Sequence, residues 1–228
     1  MTMKKSSICI FLLAASILFV GCRPKIKLVN SDEVDQNIIF QNYKAVYDEN
    51  SNQLTMSAVF RVDNASGQLL KLTKDAGVKA NQQDMKLGDD GYYTVSSRNF
   101  LPVVEFEYVN NQQEKFVNKL TINKIEVTSN DIVLDKAQIN TLEFQGKEIS
   151  ERESISLVLT KDKESVEIEA DAEGHRVYVE PSYLSCVDAG TYSVCFVRKN
   201  YDSNISAKDR GGVWESEYHS KLVKITVK

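Results

Sequence analysis

The sequence lacks any apolar run long enough to cross a membrane as a helix. Its longest run, Ile8 to Val20, has about 13 residues, whereas a membrane-spanning helix needs roughly 20. Lys4 and Lys5 precede this run and give it the positive start that is typical of an export signal. We therefore predict that residues 1–21 are a signal peptide and that the rest of the chain lies outside the cytoplasm.

Histidine is scarce, and the sequence contains none of the short motifs that mark common catalytic sites. His175 and His219 are the two histidines, and no group of Cys, His and Asp has the spacing of metal ligands. No P-loop, G-x-S-x-G, H-E-x-x-H or G-x-G-x-x-G sequence occurs. We therefore expect no metal, no cofactor and no enzymatic activity. A hydrolase is the remaining enzymatic hypothesis, and it would require two carboxylates that converge in a cleft.

An excess of positive charge is also lacking. The formal net charge is -4, and residues 1–21 contain two lysines and no acid, so the chain from Cys22 onward carries -6 (-4 minus 2). An acidic surface is repelled by phosphate backbones. Nucleic acid is therefore not an expected partner.

The apolar run ends in Leu18-Phe19-Val20-Gly21-Cys22, which resembles the lipobox of bacterial lipoproteins. In that family the peptide is cut directly before the cysteine, and the cysteine carries acyl chains such as palmitate. Small Gly21 before Cys22 fits the pattern, whereas Phe19 stands where the family usually has Leu. The resemblance implies lipidation of Cys22 and a membrane-anchored protein of the bacterial cell envelope. The alternative is an ordinary signal peptide with a chance cysteine.

The chain after the signal peptide has 207 residues (228 minus 21), which suits two β-sandwiches of roughly 100 residues each. We predict a lipidated Cys and tether over residues 22–36, a first sandwich over 37–129 and a second over 130–228. The tether begins with basic residues that could face anionic lipid headgroups. A plain solvated linker explains the same residues.

Period-two alternation of apolar residues dominates after residue 37 and predicts strands rather than helices. Polar turn residues separate the strands, as in Asn50-Ser51-Asn52. The fold class predicted from this pattern is all-β. The predicted strands are 54–62, 103–108, 116–127, 155–159, 166–168, 176–179, 192–197 and 222–227.

Asp188-Ala-Gly190-Thr-Tyr192 resembles the tyrosine corner of immunoglobulin-like domains, which is written D-x-G/A-x-Y at the start of one strand. The resemblance implies that the hydroxyl of Tyr192 bonds to nearby backbone. Cys195 falls three residues after the tyrosine, whereas the immunoglobulin cysteine falls two after, so Cys195 is not expected to form the inter-sheet disulfide. A chance turn before a strand is the alternative.

Cys186 and Cys195 bracket this motif, and a compartment outside the cytoplasm permits disulfides. A bond between them would close a short loop and stabilise the turn by about 2–3 kcal/mol. We treat this pair as a candidate disulfide, with two free, partly buried thiols as the alternative.

Trp214 and Tyr218 follow Gly211-Gly212 and have the spacing of residues on one face of a strand. If they are exposed, they could stack on sugar rings or anchor a protein; otherwise both belong to the core.

Together with the lipobox and the corner, the strand pattern resembles bacterial envelope lipoproteins that carry tandem immunoglobulin-like domains. That resemblance implies a non-catalytic module that binds an envelope protein or acts as a scaffold. The alternative is a carbohydrate-binding component of a polysaccharide-handling system.

Overall fold

The computed structural model describes residues 26–128 and 132–228, together with the backbone of Ile10–Leu12. Strands make up 56% of the chain and helices 3%, so the predicted all-β class is confirmed. Across the described residues no helix is both long and apolar enough to span a bilayer. Cys22 lies outside the described residues.

The bounds of the strands follow in chain order. They are β1 (Ile10–Leu12), β2 (Val29–Asn30), β3 (Ile39–Asp48), β4 (Gln53–Val62), β5 (Leu70–Lys71), β6 (Gly77–Ala80), β7 (Gln83–Asp84), β8 (Lys86–Leu87), β9 (Tyr93–Arg98), β10 (Val103–Val109), β11 (Lys115–Thr121), β12 (Glu126–Val127), β13 (Ile132–Leu134), β14 (Asn140–Gln145), β15 (Glu153–Lys161), β16 (Glu164–Glu173), β17 (Arg176–Val179), β18 (Gly190–Asp202), β19 (Gly212–His219) and β20 (Val223–Val227). Two short 3-10 helices, Ser31–Glu33 and Gln36–Ile38, follow β2.

The described chain divides into two compact units. Unit N contains residues 26–122 and 200–217, and unit C contains residues 123–199 and 218–228 with β1. The sequence placed one boundary at 129/130 and assigned everything after it to a second domain. Residues 200–217 instead belong to unit N, because β19 lies beside β3 in its sheet.

Unit N contains two larger sheets, in the strand orders β19-β3-β4-β9-β8 and β11-β10-β6-β7, and a two-stranded ladder of β2 and β5. Alternate residues of β3 and β10 are buried, which gives each sheet one apolar face. Aromatic rings fill the core. The ring centroid of Tyr43 lies 4.9 Å from that of Phe106, and the ring centroid of Phe60 lies 4.5 Å from that of Tyr108.

Unit C contains the neighbouring strands β12-β14-β17-β16-β15-β18, and β20 pairs with β18 and with β13. The β13–β20 pairing is parallel, whereas β18 and β20 are antiparallel. The β15–β16 hairpin turns through Asp162 and Lys163, which both have positive φ, as a type I′ turn requires. Strand β16 pairs with β15 over residues 164–170 and with β17 over residues 171–173.

The predicted tether is folded over much of its length. Val29 pairs with Leu70 in a short parallel ladder, and Ser31 and Gln36 are buried. The Gln36 side chain donates to the carbonyl oxygen of Ser31 at 2.8 Å and accepts from the backbone N–H of Asn111 at 3.1 Å. These bonds hold residues 29–38 on unit N and shorten the segment that joins Cys22 to the fold.

Candidate interaction site

The proposed corner has the hydrogen bond that its sequence implies. The hydroxyl of Tyr192, at the start of β18, donates to the carbonyl oxygen of Asp188 at 2.9 Å. Burial raises the pKa of this phenol, so the hydroxyl keeps its proton and stays a donor. Gly190 has φ +147°, and a Cβ there would lie 2.8 Å from the Nζ of Lys161. The hydroxyl of Tyr192 thus makes the bond to nearby backbone that the resemblance implies.

A cavity of about 330 Å³ lies against this corner in unit C. Its apolar lining comes from the end of the β15–β16 hairpin, the turn before β18 and Tyr192, while charged side chains form its rim. The lining residues are Leu159, Lys161, Asp162, Glu164, Ser165, Val166, Cys186, Val187, Asp188 and Tyr192. We refer to it as the corner pocket. Because it combines an apolar interior with a polar rim, it suits an apolar side chain of a partner.

The candidate disulfide between Cys186 and Cys195 is not formed, and that prediction was wrong. Cys195 is a buried thiol, and its Sγ donates to the carbonyl oxygen of Ser220 at 3.4 Å. The corner explains the difference: Cys195 lies three residues after Tyr192 and so points to the opposite face of β18. Cys186 lines the corner pocket, with its Sγ 4.0 Å from the carbonyl oxygen of Tyr183.

The two candidate binding aromatics do not form an exposed pair. Tyr218 is only 2% exposed and belongs to the core. Trp214 is partly buried on β19. The core interpretation therefore describes Tyr218, and the sugar-stacking surface that both rings would have formed is not present.

A buried ion pair in unit C was missed by sequence reasoning. Glu153 and Arg198 are each 1% exposed in their side chains and form two hydrogen bonds of 2.8 Å. Arg198 also donates to the carbonyl oxygens of Lys124, Lys147 and Glu148, so all five of its N–H groups are used. Nothing in the local sequence distinguishes these two residues from solvated charges.

The environment of Glu153 explains why it is charged. Burial by itself would raise the pKa of this carboxyl group, but hydrogen bonds from Arg198, from Asn123 at 2.8 Å and from Ser150 outweigh it. The pKa falls to about 2 as a result. A fully bonded ion pair of this kind holds the surrounding segments in place rather than offering a reactive group.

A second cluster of charges lies in unit N, where Lys44 of β3 reaches two carboxylates of β19. Its Nζ lies 3.3 Å from Oε1 of Glu215 and 2.6 Å from Oε1 of Glu217. Burial and the hydrogen bond to Glu217 raise the pKa of Glu215. A hydrolase would need a pair of carboxylates, but here the Nζ of Lys44 contacts both acids and compensates part of their charge.

A shallow groove of about 500 Å³ in unit C is lined by the β16–β17 turn and β14. His175 lies in it, and its Nε2 is 3.1 Å from the carbonyl oxygen of Gly146. The Nε of Arg176 lies 3.7 Å from a carboxylate oxygen of Glu143. His175 and Arg176 therefore each have a polar partner in this region.

Over residues 26–128 and 132–228, no group of three or more His, Cys, Asp or Glu side chains is arranged to hold a metal ion. A comparison of the chain with protein-family models and a comparison with curated proteins both find no match.

Proposed function

We propose that the chain is a non-catalytic lipoprotein of the bacterial cell envelope, anchored through lipid on Cys22, which binds another envelope protein or acts as a scaffold for it. The observation that carries the proposal is the corner pocket, a cavity with both apolar and charged lining residues that lies against the hydrogen-bonded corner and the β15–β16 hairpin. Such a site can receive a side chain of a bound polypeptide.

The start of the folded chain supports an anchored protein. Val29, the first residue of β2, follows Cys22 by seven positions (29 minus 22). Seven extended residues span at most about 25 Å. Lipid on Cys22 would therefore keep unit N close to the membrane surface.

We also infer that unit C is immunoglobulin-like and, with unit N, makes a pair of β-sandwiches. Support comes from the Tyr192–Asp188 bond at the start of β18 and from the parallel pairing of β13 with β20. In unit N the support is the pair of sheets around the aromatic core.

A protein partner is favoured over a glycan because the aromatic pair that suggested sugar binding is not exposed. Tyr218 is 2% exposed, and sugar stacking requires an open ring face. Cross-linking of intact bacteria, followed by purification of the chain and mass spectrometry, distinguishes the two. We expect a protein adduct; co-purifying polysaccharide without a protein adduct would overturn the protein-binding proposal.

Anchoring is tested by Cys22→Ser in the full-length chain, with Cys9→Ser in the apolar run as the matched control. We expect the Cys22 variant to lose lipid and to leave the membrane fraction, whereas the Cys9 variant stays there. If the Cys22 variant still sediments with membranes after a high-salt wash, the chain is not anchored in this way.

A further inference from the structure

One edge of unit C is formed by the first half of β16. The β15 strand pairs with residues 164–170 on one side, and β17 pairs only with residues 171–173. Glu164 pairs with Lys161 across the two-residue turn, and in such a hairpin the first pair exchanges both hydrogen bonds. The N–H groups of Ser165 and Glu167 therefore point away from β15, toward the edge.

The structure shows that this edge accepts a strand. The backbone of Ile10–Leu12 lies antiparallel to it, with Ile10 opposite Glu167 and Leu12 opposite Ser165. Those three residues fall within the segment that the sequence predicts to be removed on export. In the mature chain the edge would then be available to another polypeptide.

The side chains of β16 define what could pair with it. Val166 and Ile168 are buried on the inner face, and Val166 lines the corner pocket. The alternate positions of this half carry Ser165, Glu167 and Glu169, and Glu167 is bonded to the Nζ of Lys199 at 2.8 Å. The edge is thus apolar on one face and acidic on the other.

We propose that this edge binds an extended segment of a partner protein by β-strand addition, and that the segment alternates apolar residues with Lys or Arg. This inference rests on the protein-binding function proposed above and names the class of partner. The backbone bonds would come from Ser165 and Glu167, an apolar side chain would enter the corner pocket, and the basic side chains would face the acidic positions.

A second copy of the chain is the less suitable occupant. Two β16 edges paired with each other would place the acidic side chains of both copies on the same face, at cross-strand distances. Like charges in that arrangement are destabilising. The charges of β16 therefore favour a different, basic polypeptide.

The test uses the mature chain, residues 23–228, and two fluorescein-labelled heptapeptides. One alternates Lys with Val, and the other alternates Glu with Val. Fluorescence anisotropy should show saturable binding of the Lys peptide and binding of the Glu peptide weaker by roughly tenfold or more. No binding of the Lys peptide, or equal binding of both, would overturn the proposal.

Ser165→Pro tests the edge itself, because proline removes an N–H that faces outward and leaves the β15 ladder unchanged. Ser165→Ala is the matched control, since it keeps the N–H and loses the same side-chain contact with Thr160. We expect the proline variant to bind the Lys peptide roughly tenfold more weakly and the alanine variant to bind it as the parent does. Equal binding of the Lys peptide by both variants would show that the β16 edge is not the binding site.

If Ser165→Pro lowers the melting temperature, Glu169→Lys replaces it, because this exposed charge reversal leaves the backbone intact. Glu169→Lys should weaken the binding of the Lys peptide and strengthen the binding of the Glu peptide. Unchanged affinities would contradict the proposed charge complementarity.

Two further measurements separate this inference from the proposed function. Sedimentation velocity shows whether the mature chain forms a dimer. If it does, and Ser165→Pro abolishes the dimer, a second copy occupies the edge and the proposal of a basic partner is overturned. Cross-linking in intact bacteria is then repeated with the proline variant. If the proline variant still forms a protein adduct, the β16 edge is not the binding site, but the chain still binds a protein. If the parent forms no adduct, the proposed protein-binding function itself is wrong.

Discussion

Arg198 and Glu153 form the most completely buried ion pair in the described chain, with Nε bonded to Oε1 and Nη2 bonded to Oε2, each at 2.8 Å. The two residues lie on β18 and β15, 45 positions apart. Because Arg198 also binds three backbone carbonyl groups, the pair joins β15 and β18 to the segments around residues 124 and 147.

Removing either member should destabilise unit C. Glu153→Ala leaves the guanidinium of Arg198 buried without its carboxylate, and breaking such a pair costs about 3–5 kcal/mol. The control is Lys199→Ala, which removes the half-exposed pair with Glu167 and should cost about 1 kcal/mol or less. Urea unfolding of the mature chain measures both. Equal shifts of the two midpoints would show that the buried pair contributes no more than a surface one.

The double variant Glu153→Leu with Arg198→Met should stay destabilised. In a simple buried pair, apolar replacement of both charges is often neutral. Here the carbonyl groups of Lys124, Lys147 and Glu148 would also lose their donor. A double variant as stable as the parent would mean that water replaces Arg198 at these carbonyl groups.

Stability should fall at acid pH through Glu153. Its pKa drops from the ordinary 4.5 to about 2 on folding. A lowered pKa in the folded state gives stability that is fully present above pH 4.5 and is lost as the pH falls toward 2. Urea midpoints measured across this interval should decline more steeply in the parent than in Glu153→Gln, which cannot titrate. Parallel curves would contradict the assignment.

Tyr192→Phe should lower the melting temperature of the mature chain. The substitution removes the donor to Asp188 with little change in volume, and the loss of one such bond costs about 1 kcal/mol. Tyr201→Phe is the matched control, because Tyr201 is 52% exposed. If both variants melt at the temperature of the parent, the corner bond does not contribute to stability.

Limited digestion with trypsin should trim the mature chain at Lys25 and Lys27 and then stop. Residues 29–38 are held on unit N by the β2–β5 ladder and by the bonds of Gln36, and folded backbone resists proteolysis. Mass spectrometry of the product should give a new N-terminus at Leu28. An early cut at Lys44 would show that the segment is not held.

The features that the sequence predicted are those that can be recognised within a short stretch of the chain. Strands β4, β10 and β17 follow from alternation of apolar residues, which records one buried face. The corner follows from five consecutive residues, because Tyr192 and its acceptor Asp188 are four positions apart. The alternation can be seen along each strand, although the strands that pair with β10 and β17 are distant in the chain. The two groups of the corner lie within a few residues of each other, so in both cases the local sequence contains the signal.

Strand β3 shows where alternation was insufficient. Its inward positions include Gln41, a polar residue that interrupts the apolar pattern and is 1% exposed. It is tolerated there because its Oε1 accepts the hydroxyl of Tyr43 at 2.7 Å. Burial of an amide requires such a partner, and the pairing became visible only in the folded chain.

The remaining features were decided by tertiary structure. Arg198 and Glu153 look like ordinary surface charges in the sequence, and their burial depends on partners contributed by segments 45 to 74 residues away. Residues 200–217 follow unit C in the chain but belong to unit N. The sequence by itself therefore determined the strand periodicity, which is visible along each strand, and the corner, whose hydrogen bond is local. Only the folded chain decided the unit boundaries, the buried ion pair and the state of Cys195, because each depends on groups that are distant in sequence.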